Sequence, residues 1–201
     1  MMNKKEAVDY IQKSIKGALF KAEGELLYDM ARHCVGKGII VEIGSLLGKS
    51  TAYLGFGSKA GVSVKIYTID PFDGGDLIPC AAHIKDIVAK GDFFPEFRAN
   101  MKRAGLSDII IAIPKRSVDA VPLIREPIEL IFIDGAHGYE FVKSDFLNYF
   151  PKVIYGGTIA FHDRGISGVK QVINEYVTSN TEVEQIKTCK TILYCKKKQK
   201  E

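Results

Sequence analysis

The sequence predicts an α/β protein built on a doubly wound, mostly parallel sheet, and three observations carry that expectation. Residues 39–72, IIVEIGSLLGKSTAYLGFGSKAGVSVKIYTIDPF, hold an apolar β-branched run ending in Glu42 and Gly44. A glycine-bearing turn, a helix from about Ser50 and a second apolar run that stops at Asp70 follow. Strand-type and helix-type segments then alternate down the chain, which implies parallel strands joined by right-handed crossovers. The last two strands are separated only by Lys187-Thr188-Cys189-Lys190. That link is too short for a crossover, so the pair is expected to be an antiparallel hairpin.

In order, helices are expected at about 4–16 and 22–35, where they could lie over a cleft at the strand ends. Strands are expected at about 39–43, 64–69, 109–113, 129–134, 157–162, 182–187 and 191–195, with helices at about 50–60, 92–104, 117–124, 139–150 and 167–179. Residues 73–91 are the least regular stretch, with Gly74, Gly75 and Pro79 and only a short helix near 81–90. Connections of that length serve as lids or stay irregular; a lid and a surface helix over the sheet edge are equally open. No linker or internal repeat interrupts the pattern, so residues 1–201 are expected to form one domain.

Bulk properties agree. The chain has 201 residues, 46% hydrophobic and 26% charged, enough for a core without disulfides. Cys34, Cys80, Cys189 and Cys195 form neither a C-x-x-C pair nor a zinc spacing and read as reduced thiols of a cytoplasmic protein. The N-terminus is charged and amphipathic, and no apolar run of membrane-spanning length occurs. Of the net charge of +4, Lys196, Lys197, Lys198 and Lys200 supply much, and residues 196–201 read as a solvated basic tail rather than a nucleic-acid arm.

An acid closing the second strand lies beside the first and can accept hydrogen bonds from both ribose hydroxyls, which points to a nucleoside cofactor. Spacing narrows its class. Gly44 to Ser50, GSLLGKS, has three residues between its glycines where a phosphate-cradling P-loop needs four. Glu42 to Gly48 also fails the dinucleotide fingerprint. The run Glu129 to Asp134, ELIFID, imitates a magnesium-binding strand and keeps a nucleotide hydrolase as an alternative. A carboxylate suits a cationic, sulfonium-bearing ligand better than a phosphate-bearing one.

At these residues the chain resembles the class I S-adenosylmethionine-dependent methyltransferases. It is most similar to the bacterial branch of small-molecule and sugar O-methyltransferases and cephalosporin-hydroxylase-like proteins. The likeness runs through VEIGSLLGKST, TIDPF, Phe97-Arg98-Ala99-Asn100 to Gly105-Leu106, LIFIDGAHGY at 130–139 and GGTIAFHD at 156–163, over roughly residues 25 to 195. It implies a Rossmann-like seven-stranded sheet ordered 3-2-1-4-5-7-6 with one reversed strand. It also implies that S-adenosylmethionine contacts Glu42, Gly44, Ser45, Gly48, Ser50, Thr51, Asp70, Pro71, Phe72, Ser117, Asp134, Gly135 and His137. Ser117 could equally cap a helix, and Phe72 could equally pack in the core.

Methyl transfer is an in-line displacement, so the protein must align acceptor oxygen, methyl and sulfur and help remove a proton. Asp134 ends the fourth strand, and His162 and Asp163 end the fifth. These three form a candidate divalent-metal site able to lower the pKa of a bound hydroxyl; the alternative is a polar cluster that contacts cofactor and substrate directly. In the related catechol-type enzymes the matching positions are Asp, Asp and Asn. His162 departs from that set, which puts magnesium in question and admits manganese or zinc. Asp134, His137 and His162 are the candidate catalytic residues, His137 as a general base or else as a helix cap. The expected acceptor is a small hydroxylated molecule, not nucleic acid, because no RNA-binding module is present. A different acceptor or a binding-only role is the alternative within the same fold, and a homodimer is compatible with the sequence without being signalled by it.

Overall fold

β-branched runs dominate the sheet. In the computed structural model, which describes residues 2–74 and 91–199, they form β1 (Ile39–Ile43), β2 (Ile66–Ile69), β3 (Ile110–Ile113), β4 (Ile128–Ile133), β5 (Val153–Phe161), β6 (Val183–Cys189) and β7 (Ile192–Lys197). The seven strands lie in the order β3-β2-β1-β4-β5-β7-β6, as the resemblance implied. β1 to β5 are parallel, while β7 runs antiparallel to both β5 and β6. Every residue of β1 and β4 is buried, as expected of central strands covered on both faces.

Side chains alternate between two cores. Ile40, Leu130 and Phe132 face a cluster with Ile11, Leu27, Leu54 and Phe97, contributed by α1 (Lys4–Ser14), α2 (Lys21–Arg32), α3 (Lys49–Ala60) and α4 (Phe94–Arg103). Val41, Ile131 and Phe161 face Ala120, Phe146 and Val172, from α5 (Ser117–Ala120), α6 (Tyr139–Tyr149) and α7 (Ser167–Val172). α1 starts with a reciprocal capping box between Asn3 and Glu6. Ala7, Val8 and Ile11 of this helix are core residues, so α1 is built into the fold and does not merely cover a cleft. α2 packs on α3 closely enough that a Cβ on Gly24 would overlap the Tyr53 ring.

Several elements differ from the sequence expectation. The helix expected at 117–124 is one α turn followed by a 3₁₀ turn, Val121–Leu123, because Pro122 has no N–H to continue the α pattern. The helix expected at 167–179 changes at Ile173–Val177 to a π turn. β5 begins at Val153 rather than 157, with a register shift that moves the partner of Ile128 at Val153 to Thr158 opposite Leu130. Lys196 and Lys197 belong to β7, not to a solvated tail: Lys197 is 7% exposed, and its Nζ donates to the Phe150 carbonyl at 3.0 Å over that residue's ring. Most of the 73–91 segment, with its expected helix, Cys80 and His83, lies outside the described residues. Cys34 and Cys195 are buried, and burial pushes both thiols up to about 12, so they are inert. Among the described residues no helix is long and apolar enough to cross a membrane.

The sheet's hydrogen-bond ladder runs one residue past the strand ends, and this sets the level of the site. Asp70 N–H donates to Ile113 O at 3.3 Å, Gly44 to Ile69 O at 2.8 Å, Asp134 to Ile43 O at 2.8 Å and His162 to Ile133 O at 3.0 Å. Four site residues from four strands therefore stand in one row along the carboxyl edge. Gly44 has φ +86°, and a Cβ there would overlap the Asp134 carbonyl. The close approach that demands glycine is thus to the neighbouring backbone rather than to a ligand. Gly44→Ala should cost at least about 1–3 kcal/mol from backbone conformation alone and should lower the melting temperature; an unchanged melt would contradict this reading.

Glu42 is buried within β1, and its Oε2 accepts from Thr51 Oγ1 at 2.5 Å and Thr68 Oγ1 at 2.7 Å, joining β1, α3 and β2. Burial raises this carboxyl to about 7, against the opposing hydroxyl bonds. Because the folded value exceeds the unfolded one, the stabilising contribution is full below about 4.5 and is lost as pH rises through about 7. Glu42→Gln should therefore lose ground to the parent at pH 5 and recover it by pH 8, by on the order of 3 kcal/mol. Thermal melts of both proteins across that range check this, and a pH-independent difference would refute it.

Candidate functional site

A cleft of about 610 Å³ opens over the carboxyl ends of the strands, between the β1, β2 and β3 ends on one side and the β4 and β5 ends on the other. This is where the strand order reverses direction about β1 and β4, the usual ligand crevice of an open α/β sheet. Of the residues singled out in the sequence, Gly44, Ser45, Ser50, Asp70, Pro71, Ser117, Asp134, Gly135, His137, His162 and Asp163 border it. Glu42, Gly48, Thr51 and Phe72 do not. Glu42 and Thr51 bond to each other beneath the loop. Gly48 caps α3 with φ +87°, and Phe72 is 1% exposed within a cluster of Phe93, Phe94 and Phe97 rings.

Asp70 organises the near wall. Its Oδ2 accepts from Ser45 N–H at 2.8 Å and Leu46 N–H at 2.9 Å, and its Oδ1 accepts from Phe72 N–H at 2.7 Å. The loop amides that would cradle a phosphate are therefore already engaged by a carboxylate, which would repel one. A carboxylate has about four acceptor positions, so Asp70 retains capacity for ribose hydroxyls.

At the far wall four side chains converge. Ligand atoms of Asp134, His137, His162 and Asp163 all lie within 4.8 Å of one another. His162 Nδ1 is 2.9 Å from Asp134 Oδ1 and 3.4 Å from Asp163 Oδ2, and His137 Nε2 is 3.2 Å from Asp163 Oδ2. Asp163 sits at φ +52°, a left-handed conformation that Asp tolerates and that turns its carboxylate inward. Although these carboxylate oxygens lie close, none is aligned for a hydrogen bond with either ring nitrogen of His137 or with Nδ1 of His162, all of which are buried. His137 does not cap a helix, since Gly138 is the N-cap of α6. Nor does Ser117, which is the first helical residue after Arg116.

Sequence reasoning missed Glu23. This carboxylate, fully buried in the first turn of α2, accepts from Thr191 N–H and Oγ1, both at 2.7 Å, and from Phe20 N–H at 3.0 Å. Its Oε2 also lies 3.2 Å from His162 Nε2. It thereby ties α2 and the β6–β7 turn to the site and fixes one ring nitrogen of His162, leaving Nδ1 facing Asp134. No local motif marks a pairing 139 residues apart. Burial alone would lower the His162 ring, but the Asp134 charge and the close carboxylates of Asp163 and Glu23 outweigh it and hold the ring at about 12. Asp163 is held well below the usual carboxylate range by the nearby His137 and His162 rings.

Comparisons with known proteins agree with this geometry. A family described as a methyltransferase domain matches residues 41–164. The fold is similar to that of the O-methyltransferase NovP, at 20% identity over 91% of this chain and 84% of that one, with a TM-score of 0.70. It is also similar to an O-methyltransferase from Bacillus cereus solved with S-adenosylhomocysteine, at 18% identity over 98% and 93%, with a TM-score of 0.66. The MycE methyltransferase of the mycinamycin pathway, solved with magnesium, S-adenosylhomocysteine and mycinamycin VI, is 16% identical; the match covers 96% of this chain and 54% of MycE, with a TM-score of 0.61. By the extent of the family match, the chain belongs to the methyltransferase domain family.

Proposed function

We propose that this chain transfers the methyl group of S-adenosylmethionine to a hydroxyl of a small molecule, with a divalent cation held by Asp134, His137, His162 and Asp163. The observation that carries the reading is the convergence of four ligand atoms within 4.8 Å on the cleft that Asp70 shapes. Two imidazoles and two carboxylates make a nitrogen and oxygen donor set of intermediate softness, which favours manganese or zinc over magnesium. The orphaned nitrogens of His137 and His162 fit such a role, as does the Glu23 carboxylate behind His162, the usual partner of a metal-binding imidazole. A cation there would bind the acceptor hydroxyl and lower its pKa.

The protein's own residues do the rest. Asp70 and the Gly44–Leu46 turn hold the ribose end, and the cluster after β4 and β5 orients the acceptor at the other end. The Lys16–Phe20 connection borders the cleft, where it would shield a bound ligand from water. Phe20 and Phe141, both half exposed, offer aromatic walls to a sugar or phenol. His137 or Asp134 accepts the acceptor's proton.

Titration with manganese followed by electron paramagnetic resonance checks this site without turnover. One ion per chain should bind the parent. Glu23→Gln, which replaces the acceptor facing His162 Nε2 with an amide, should weaken that binding roughly 10–100-fold while S-adenosylhomocysteine affinity stays within about twofold. Asp134→Asn should lose the ion, and methyl transfer should stop in chelator and return with one divalent metal. Full activity in chelator would remove the cation from the proposal and leave Asp134 and His137 as direct proton acceptors.

A further inference from the structure

Two lysines close β7 on opposite faces of the sheet. Lys197 is held by the Phe150 carbonyl, whereas Lys196 turns to the α2 side and borders a groove of about 470 Å³. The groove lies at the amino ends of the parallel strands, at the opposite end of the sheet from the cleft that Asp70 shapes. Leu26, Asp29 and Met30 of α2 line one wall, with Lys37 from the segment before β1 and Lys187 from β6 at its sides. Its volume is that of a small-molecule site.

The groove is short of negative charge. Both acids that line it are already engaged: Asp29 Oδ2 lies 2.6 Å from Lys4 Nζ, and buried Glu129 accepts from the N–H groups of Val35, Gly36 and Lys37 at 2.6, 3.0 and 3.0 Å. Glu184 stands opposite Lys196 across the β6–β7 ladder. Even so, among the described residues no carboxylate forms an ion pair with Lys37, Lys187 or Lys196. Lys196 is half-buried, and its Nζ donates to Thr158 Oγ1 at 2.7 Å. Because that oxygen accepts, the Thr158 hydroxyl keeps its proton to donate, and the ammonium keeps its remaining donors. Side by side on the groove they make a donor pair for an oxyanion.

The backbone departs from regular β structure to bring Lys187 to the same place. Pairing passes from Glu184 opposite Lys196 to Lys187 opposite Tyr194, so β6 carries one extra residue. In an unbroken strand residues 184 and 187 would point to opposite faces; the bulge turns Lys187 to the face of Lys196. Gln185, inside the bulge, sits at φ +54° and also borders the groove. Such backbone strain collects at ligand sites.

We propose that this groove is a second ligand site, which takes a small soluble molecule bearing a phosphoryl group. Three lysines without an internal counter-anion favour a multiply charged oxyanion over a single carboxylate. Leu26, Met30 and Tyr194 give the body of the ligand an apolar surface.

Calorimetric titration with phenyl phosphate, which joins a ring to a phosphoryl group, tests the site with and without saturating S-adenosylhomocysteine. One equivalent should bind in both cases, and phenol should not bind. Lys196→Met should weaken phenyl phosphate at least about tenfold, through loss of a charge-assisted hydrogen bond, and leave S-adenosylhomocysteine affinity within about twofold. Lys187→Met, on the exposed edge strand, should weaken it about threefold and carries the test if the Lys196 variant does not fold. No binding of phenyl phosphate, equal binding in both lysine variants, or displacement by S-adenosylhomocysteine overturns the site. So does sedimentation with vesicles containing phosphatidic acid in the absence of phenyl phosphate binding, which would make the groove a lipid-headgroup contact.

Discussion

The site depends on the grip of Asp70 on the turn after β1. Three backbone N–H groups, from Ser45, Leu46 and Phe72, converge on one carboxylate. Charge-assisted bonds of this kind are roughly twice as strong as neutral ones, and here they join the ends of β1 and β2 into one rigid lip. The same bonds occupy the amides that a phosphate would require. The turn therefore has the glycines of a nucleotide loop but the electrostatics of a site for a cationic ligand. Gly44, pressed against the Asp134 backbone, transmits that placement to β4.

A second buried carboxylate does comparable work across the molecule. Glu23 reaches from α2 to the β6–β7 turn and to His162, so the N-terminal helices help to build the cleft's far wall. Gly24, the next residue, lets α2 sit deep enough on α3 for that contact to form. The cluster of Asp134, His137, His162 and Asp163 thus draws on elements from the first and last quarters of the chain.

The architecture was largely legible in the sequence because its strands are nearly pure β-branched runs ending in chemically distinctive residues. Gly44, Asp70, Asp134 and His162 each follow a strand end, and parallel register puts such ends side by side. Details that depend on packing were less legible. Whether Phe72 faces a ligand or three other phenylalanines is decided by tertiary contacts, as is the incorporation of Lys196 and Lys197 into β7. Glu23 lies on a helix whose amphipathic pattern would have allowed it to be an ordinary surface acid. Its burial follows from where α2 docks.

The most direct measurement is a parallel calorimetric titration of the unaltered protein with S-adenosylhomocysteine and with ATP. One equivalent of S-adenosylhomocysteine should bind, and ATP should not, because Asp70 already holds the loop amides and repels phosphate. Binding of ATP with no binding of S-adenosylhomocysteine would contradict the assignment of the cleft and of the chemistry built on it.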